Sequence, residues 1–256
     1  MPDFFKTLFL GIVQGLTEFL PVSSSGHLYI FQYFLSFEKV GLALDVMLHL
    51  GTLFAVIIYF RSYLIQLFKK IFLEKKSGIN DLLIIGLGIF PAVLVGFFFG
   101  SFIENSRSMN LVIINYLIMG IILYLIKDKK ESSDNINYKT AILIGIVQSL
   151  ALLPGISRSG ITIASAILLG VKKDEAVKFS FVMSIPLIFG ATLYKLGDIA
   201  VLASDSISII FSGFVASSIV GYFAIVWMMK VVELNTFWRF SIYCWLLAII
   251  LLFSAS

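Results

Sequence analysis

From residue 81 to residue 103 the chain reads DLLIIGLGIFPAVLVGFFFGSFI, and only its first residue carries a charge. A segment of that length with no polar face has to lie inside protein or inside lipid. It is not isolated. Apolar stretches recur at 4–20, 26–37, 40–60, 81–103, 109–126, 138–153, 160–170, 175–196, 206–229 and 237–254. Of the 256 residues, 59% are hydrophobic and 13% charged, against roughly 45–50% and 25% in a soluble domain. One buried core cannot absorb that excess, so the pattern predicts an all-α polytopic membrane protein. The N-terminus, with Asp3, Lys6 and no small-residue cleavage site, does not read as a secretory signal. The lone Cys244 excludes an intrachain disulfide framework and a cysteine metal site. The net charge of +4 is spread over loops rather than gathered on a soluble patch, which argues against nucleic acid as a partner and for membrane lipids.

A spanning helix needs about 20 residues to cross about 30 Å of hydrocarbon. Six stretches come close: 40–60, 81–103, 109–126, 175–196, 206–229 and 237–254. The other four form two pairs, 4–20 with 26–37 and 138–153 with 160–170. Each pair is joined by a polar Pro/Ser/Gly turn, and its second member is too short to cross. The economical reading is two re-entrant helical hairpins, because irregular backbone at membrane depth survives only inside protein or beside a water-filled cavity. The hairpins are related. Residues 11–28, GIVQGLTEFLPVSSSGHL, laid without a gap over 145–162, GIVQSLALLPGISRSGIT, are identical at Gly11/Gly145, Ile12/Ile146, Val13/Val147, Gln14/Gln148, Leu16/Leu150, Ser23/Ser157, Ser25/Ser159 and Gly26/Gly160. Polar identities in an apolar background point to duplication. The single membrane domain, 1–256, then divides into halves of about 1–127 and 138–256 with a charged linker at 128–137. Three crossings per half make the second half enter from the opposite face. Such an inverted-topology repeat places its site where the repeats meet near the midplane.

Loop charges set the orientation. Arg61, Lys69, Lys70, Lys75, Lys76, Lys127, Lys129, Lys130, Lys139, Lys172, Lys173, Lys178, Lys230 and Arg239 fall on one side, and only Lys6, Lys39, Arg107 and Lys195 on the other. The positive-inside rule makes the first side cytoplasmic and leaves both termini outside. Residues 61–78 read either as a basic amphipathic segment on the cytoplasmic surface or as a plain positive loop.

The polar residues within hydrocarbon carry the chemistry. Arg158 is costly there and a functional residue by default. It follows Pro154 and Gly155, at the start of a helix whose free N–H groups and dipole favour an anion. Its planar fork matches phosphate oxygens, and Ser157, Ser159 and Thr162 add hydroxyls. A structural ion pair between Arg158 and Glu18, and simple helix capping by the serines, are the plainer readings. Glu18 and Gln14 share a helix face. A buried carboxylate there can act as general base, metal ligand or histidine partner. One carboxylate with one amide is a moderate signal for a divalent cation. Gln148, the mate of Gln14, either meets it near the two-fold axis or makes an inter-helix hydrogen bond. His27 follows Ser23, Ser24 and Ser25, where it can relay a proton or attack phosphorus. His49 and Asp45 share another face, as support for the site or as a structural pair. Between the repeats, Glu18 faces Leu152, Ser24 faces Arg158 and His27 faces Ile161. One hairpin carries acid–base or nucleophilic groups and the other the cation, which suggests one composite site for phosphoryl transfer to water. A lipid or solute transporter or flippase is the alternative class, since inverted repeats are common among transporters.

The segments QGLTEFLPVSSSGH (14–27) and PGISRSGIT (154–162) resemble the two signature segments of the undecaprenyl-diphosphatase family, the bacitracin-resistance phosphatases of bacteria. The resemblance covers the full chain. It implies an inner-membrane enzyme that hydrolyses undecaprenyl diphosphate to the monophosphate and phosphate. That reaction recycles the lipid carrier for peptidoglycan and confers bacitracin resistance. It also implies a divalent cation (Mg2+ or Ca2+), a polyprenyl diphosphate substrate, and a site that opens to the outer face; a homodimer is one assembly to test. Residue by residue, it places metal binding on Gln14 and Glu18, catalysis on Glu18, Ser24, His27 and Arg158, and diphosphate binding on Ser23, Ser25, Gln148, Ser157, Ser159 and Thr162. Ser24 is the preferred nucleophile and His27 its base, with His27 as nucleophile left open. Many relatives carry Glu where this chain has Gln14, which shifts metal binding towards Glu18. Phosphatidic-acid-phosphatase-type enzymes share a PSGH-like echo, but here Ala164 stands where their second histidine would be.

Overall fold

The computed structural model describes residues 3–35, 41–129, 135–194 and 207–254. Lys39, Lys130, Lys195 and half of the expected linker lie outside them. Every described element is helical: α1 (Asp3–Phe19), α2 (Ser24–Leu35), α3 (Gly41–Tyr59), α4 (Arg61–Leu73), α5 (Lys76–Asn105), α6 (Met109–Tyr124), α7 (Tyr138–Gln148), α8 (Arg158–Leu168), α9 (Lys173–Tyr194), α10 (Ile207–Glu233) and α11 (Phe240–Ser254). Short 3-10 turns, Ser149–Leu152 and Phe237–Arg239, extend α7 and precede α11. Several boundaries are written in side chains. Ser108 accepts from Leu111 N, Asn137 from Thr140 N and Ser157 from Gly160 N, which satisfies donors that the first turn leaves open.

Several helices are apolar enough for a polytopic membrane protein. Among the described residues, α5, α9, Ile209–Glu233 of α10 and Phe237–Ser254 are long and apolar enough to cross a membrane, and α3 with α4 forms a further pair bent by 73°. α5 presents Phe97, Phe98 and Phe102 outward with little protein over them. α8 is the opposite: Ser159 through Ile167 are all buried. A helix of 11 residues enclosed by protein is a core element, whatever lies around the molecule. α4 exposes Ile65, Phe68, Phe72 and Leu73, and its Lys70 Nζ holds Asp81 Oδ2 at 2.7 Å.

The packing crosses between the halves. α1 lies along α10, and α7 lies along α5; α3 meets α9, and α6 meets α11. Two glycines permit the first two contacts. A Cβ on Gly11 would stand 2.6 Å from Gly213 O, and one on Gly145 would stand 2.6 Å from Gly88 O. Both separations are shorter than any side chain tolerates, so each helix reaches its partner's backbone only because the residue has no side chain. The main core draws on both halves: Phe19 packs edge-on to Phe181 at 5.1 Å, with Tyr116, Met119, Ile161 and Ile163 around them. It holds the α1–α2 and α7–α8 turns against each other.

Candidate active site

The two turns meet tip to tip through residues that the repeats share. Ser23 Oγ accepts from Gly26 N at 3.3 Å, and Ser157 Oγ accepts from Gly160 N at 3.0 Å. Ser23 and Ser25 hydroxyls lie 3.3 Å apart, and Ser157 and Ser159 hydroxyls 3.1 Å apart. Each capping serine also reaches across to the other hairpin. Ser23 Oγ donates to Ile156 O, and Ser157 Oγ to Leu20 O, both at 3.3 Å. Ser159 adds a second bond to Leu20 O at 3.1 Å. The N-termini of α2 and α8 are thereby locked at one place, and two positive dipole ends converge there.

Glu18, at the end of α1 and 7% exposed, is the hub of that place. Its Oε1 receives Arg158 Nη2 at 2.6 Å. Its Oε2 receives Ser24 Oγ at 2.6 Å and Gln14 Nε2 at 3.1 Å. His49 Nε2 stands 3.8 Å from the same Oε2. A buried carboxylate needs this many donors to stay ionised away from water. Arg158 is braced from behind: Nη1 donates to Ser180 O at 3.2 Å, and Ser180 Oγ lies 2.6 Å from Thr162 Oγ1. Glu18 is therefore in direct contact both with Ser24, from its own half of the chain, and with Arg158, from the other.

Other expected residues take other places. His27 is buried and makes no hydrogen bond to Ser24 or Glu18. Its Nδ1 lies 2.8 Å from Ser23 O, which can only accept, so Nδ1 carries the proton and Nε2 accepts from Tyr243 OH at 2.6 Å. Tyr116 OH closes the cage, 2.9 Å from Nδ1 and 3.3 Å from Ser23 O. Ser23 itself has φ of +64°, a left-handed backbone that costs a non-glycine residue about 1–3 kcal/mol. His27 and Tyr116 hold it there through its carbonyl. Gln148 Nε2 donates to Gly88 O at 3.1 Å, and no hydrogen bond links it to Gln14. Thr162 and Ser159 sit behind Arg158 and the turn. Ser23, Ser24, Ser25, Gln148, Ser157 and Arg158 all line a cavity of about 350 Å3.

That cavity runs from the tips along α2, α3 and α9 to the loop after α5, past Leu28, Val46, Leu187 and Ile188. Its polar wall contains residues that sequence reasoning undervalued or missed. His49 was visible only as a neighbour of Asp45; its Nδ1 in fact lies 2.6 Å from the Asp45 backbone carbonyl, so Nε2 faces Glu18. Gln32, which donates to Asp45 Oδ1 at 2.6 Å, is an isolated polar residue in an apolar run and gave no pattern to read; the same holds for Ser180, which lies behind Arg158 and not on the cavity wall.

Comparison with known proteins gives this geometry a context. The bacitracin resistance protein BacA family matches residues 7–250. The chain belongs to that family. Among its curated relatives, undecaprenyl-diphosphatase 4 of Bacillus thuringiensis (strain Al Hakam) is 38% identical over 256 residues, covering 98% of this chain and 96% of the relative. Undecaprenyl-diphosphatase of Halothermothrix orenii is 36% identical over 260 residues, covering 99% of each. Undecaprenyl-diphosphatase of Carboxydothermus hydrogenoformans is 39% identical over 256 residues, covering 97% of this chain and 96% of the relative. Within this BacA-family chain, the donors suited to a divalent cation are oxygens. Gln14 Oε1 is buried with no partner, next to the Glu18 carboxylate. Among the described residues no group of three or more His, Cys, Asp and Glu side chains stands together. Such a set fits a hard cation that keeps waters and shares its shell with phosphate oxygens, and does not make an all-protein cage.

Proposed function

We infer that this chain is a membrane phosphatase that hydrolyses undecaprenyl diphosphate to undecaprenyl phosphate and inorganic phosphate, recycles the lipid carrier for cell-wall synthesis and confers bacitracin resistance. The observation that carries the reading is the meeting of Ser24 and Arg158 on one buried carboxylate, Glu18, in a chain matched by the family over 7–250.

The proposed topology is six spans (α3, α5, α6, α9, α10, α11) with α1–α2 and α7–α8 as re-entrant hairpins. Helices α2 and α8 have 12 and 11 residues; at about 1.5 Å per residue they fall well short of about 30 Å. The exchange of α1 onto α10 and α7 onto α5, with mirrored glycine contacts, supports the inverted duplication. The cavity lies towards the end opposite the lysine-rich segments 61–78 and 172–178, which favours a bacterial inner membrane with the site opening outward.

In this reading Ser24 Oγ is the nucleophile and Glu18 its base. The hydroxyl already points at Oε2. As Oγ closes on phosphorus, its proton passes to Glu18, and the phosphoanhydride bond breaks to release the lipid monophosphate. Protonation of Glu18 weakens its hold on Arg158. The guanidinium, which keeps further N–H donors beyond those given to Glu18 and Ser180, then serves the transferring phosphoryl oxygens. The converging N-termini of α2 and α8 add fixed positive potential. Water then hydrolyses the phosphoserine. His27 holds the Ser23 backbone and so sets where Ser24 points. A bound Mg2+ or Ca2+, held by Glu18 and Gln14, would neutralise diphosphate charge.

The test is phosphate release from a polyprenyl diphosphate by the purified protein in detergent with divalent metal. Release is expected, with loss in excess chelator and a fall of about 10^3-fold or more in Ser24→Ala, as for removal of a covalent nucleophile. No release by the metal-replete wild type would overturn the phosphatase reading. Full activity of Ser24→Ala would move the nucleophile to water.

A further inference from the structure

A diphosphate ester brings two phosphates into the cavity, and the site above offers one guanidinium. That group is already engaged. Arg158 Nη2 holds Glu18 Oε1 at 2.6 Å and Nη1 holds Ser180 O at 3.2 Å. The Arg158–Glu18 pair is neutral as a unit, so these two side chains together add no net positive charge for a second phosphate.

The cavity has a second cation on its lining, Arg107. We propose that Arg107 is the second phosphate-binding residue of this site, holding the phosphate that Arg158 does not and so selecting a diphosphate over a monophosphate. The proposal rests on the phosphatase reading and deepens it. Three observations carry it.

First, Arg107 shares one cavity with Glu18, Ser24 and Arg158, and among the described lining residues these two arginines are the only Lys or Arg. Second, its side chain has no hydrogen-bond or ion-pair partner among the described residues, whereas the other charges of the cavity are engaged: Glu18 by Arg158, and Asp45 by Gln32 Nε2 at 2.6 Å. A guanidinium with its whole fork free is suited to bidentate capture of phosphate oxygens. Third, its backbone is pinned on both sides. Ser106 N and Oγ both bond Phe102 O, at 3.0 and 2.7 Å, closing α5. Arg107 N bonds Glu104 O at 3.3 Å, and Ser108 Oγ caps α6 through Leu111 N at 3.3 Å. Arg107 is the one residue between two closed helix ends, so its place beside the cavity is set by structure and not by a slack loop.

The experiment is steady-state kinetics on the full chain with a polyprenyl diphosphate, with inorganic diphosphate and orthophosphate as competing anions. In Arg107→Gln, KM should rise about tenfold, the size of one charge-assisted hydrogen bond, with kcat within about twofold. Inhibition by inorganic diphosphate should weaken by a similar factor while orthophosphate inhibition stays within about twofold. Arg107→Lys should recover part of the loss. An unchanged KM with unchanged diphosphate inhibition overturns the proposal. So does equal weakening of both anions, which would make Arg107 a general attractor. So does a fall in kcat at constant KM. Arg107 is exposed, so the variant does not threaten folding. A wild type that releases no phosphate overturns the phosphatase reading instead, so the two failures are distinct.

Discussion

The tips of the two hairpins are built from the same residues and do different work. At the identical positions the geometry repeats: Ser23 and Ser157 cap the following helix, pair with Ser25 and Ser159, and bond the backbone of the opposite tip. At the divergent positions stand the residues of the proposed chemistry. Glu18 stands where the second hairpin has Leu152, Ser24 faces Arg158 in the alignment and touches the same carboxylate in space, and His27 stands where the second hairpin has Ile161. The backbone differs too. Ser23 has φ +64° whereas Ser157 has φ −78°. The strained member is the one with His27 and Tyr116 on its carbonyl. Residues common to both segments hold the tips together, and residues that differ between them bring Ser24 and Arg158 onto one carboxylate; in the proposed mechanism the differing residues are the ones that react.

That division can be broken in order of expected effect. Glu18→Gln keeps the shape of the hub but removes the charge that pairs with Arg158 and accepts the Ser24 hydrogen. Phosphate release should fall by about 10^2–10^3-fold or more, as for loss of a group that stabilises developing charge. Near-normal turnover by a folded Glu18→Gln protein would reduce the hub to a structural ion pair. Gly11→Ala and Gly145→Ala place the same methyl in the same clash on the two sides of the repeat. Each should cost about 1–3 kcal/mol of stability and lower the melting temperature in detergent by similar amounts. A large drop for one and none for the other would break the symmetry of the two packing sites. Tyr243→Phe removes only the hydroxyl on His27 Nε2. Turnover should fall less than about tenfold, in line with one hydrogen bond in a supporting shell. A loss comparable to Glu18→Gln would return His27 to proton transfer.

Much of this was legible from the amino-acid string. Ten apolar stretches correspond to described helices because hydrophobic runs and Pro/Ser/Gly turns are local signals. Phosphoryl chemistry was legible because Glu, Ser and Arg side chains inside apolar segments are too costly to keep without use. The contact between Glu18 and Arg158, 140 positions apart, was open in the sequence as the plainer alternative to a phosphate-binding role for Arg158, and the repeat pointed to one composite site. The placement of His27 was not legible. Three residues after Ser24 on α2, it could turn to the carboxylate or away from it, and the deciding neighbours, Tyr116 on α6 and Tyr243 on α11, lie far along the chain. His49 was undervalued for the mirror reason, since nothing near it in sequence announces Glu18.

By itself, the sequence determined a helical membrane protein, a pair of polar turns with shared residues and the residue types of a phosphate-handling site, because hydropathy, turn chemistry and internal identity are properties of short segments. Only the tertiary structure decided which histidine faces the carboxylate, that Ser24 and Arg158 share it, and that Arg107 borders the same cavity. Those facts depend on how α1, α2, α3 and α8 rotate against one another. That rotation is set by close backbone contacts such as Gly11 on Gly213 and by a core shared between the halves, neither of which a single segment encodes.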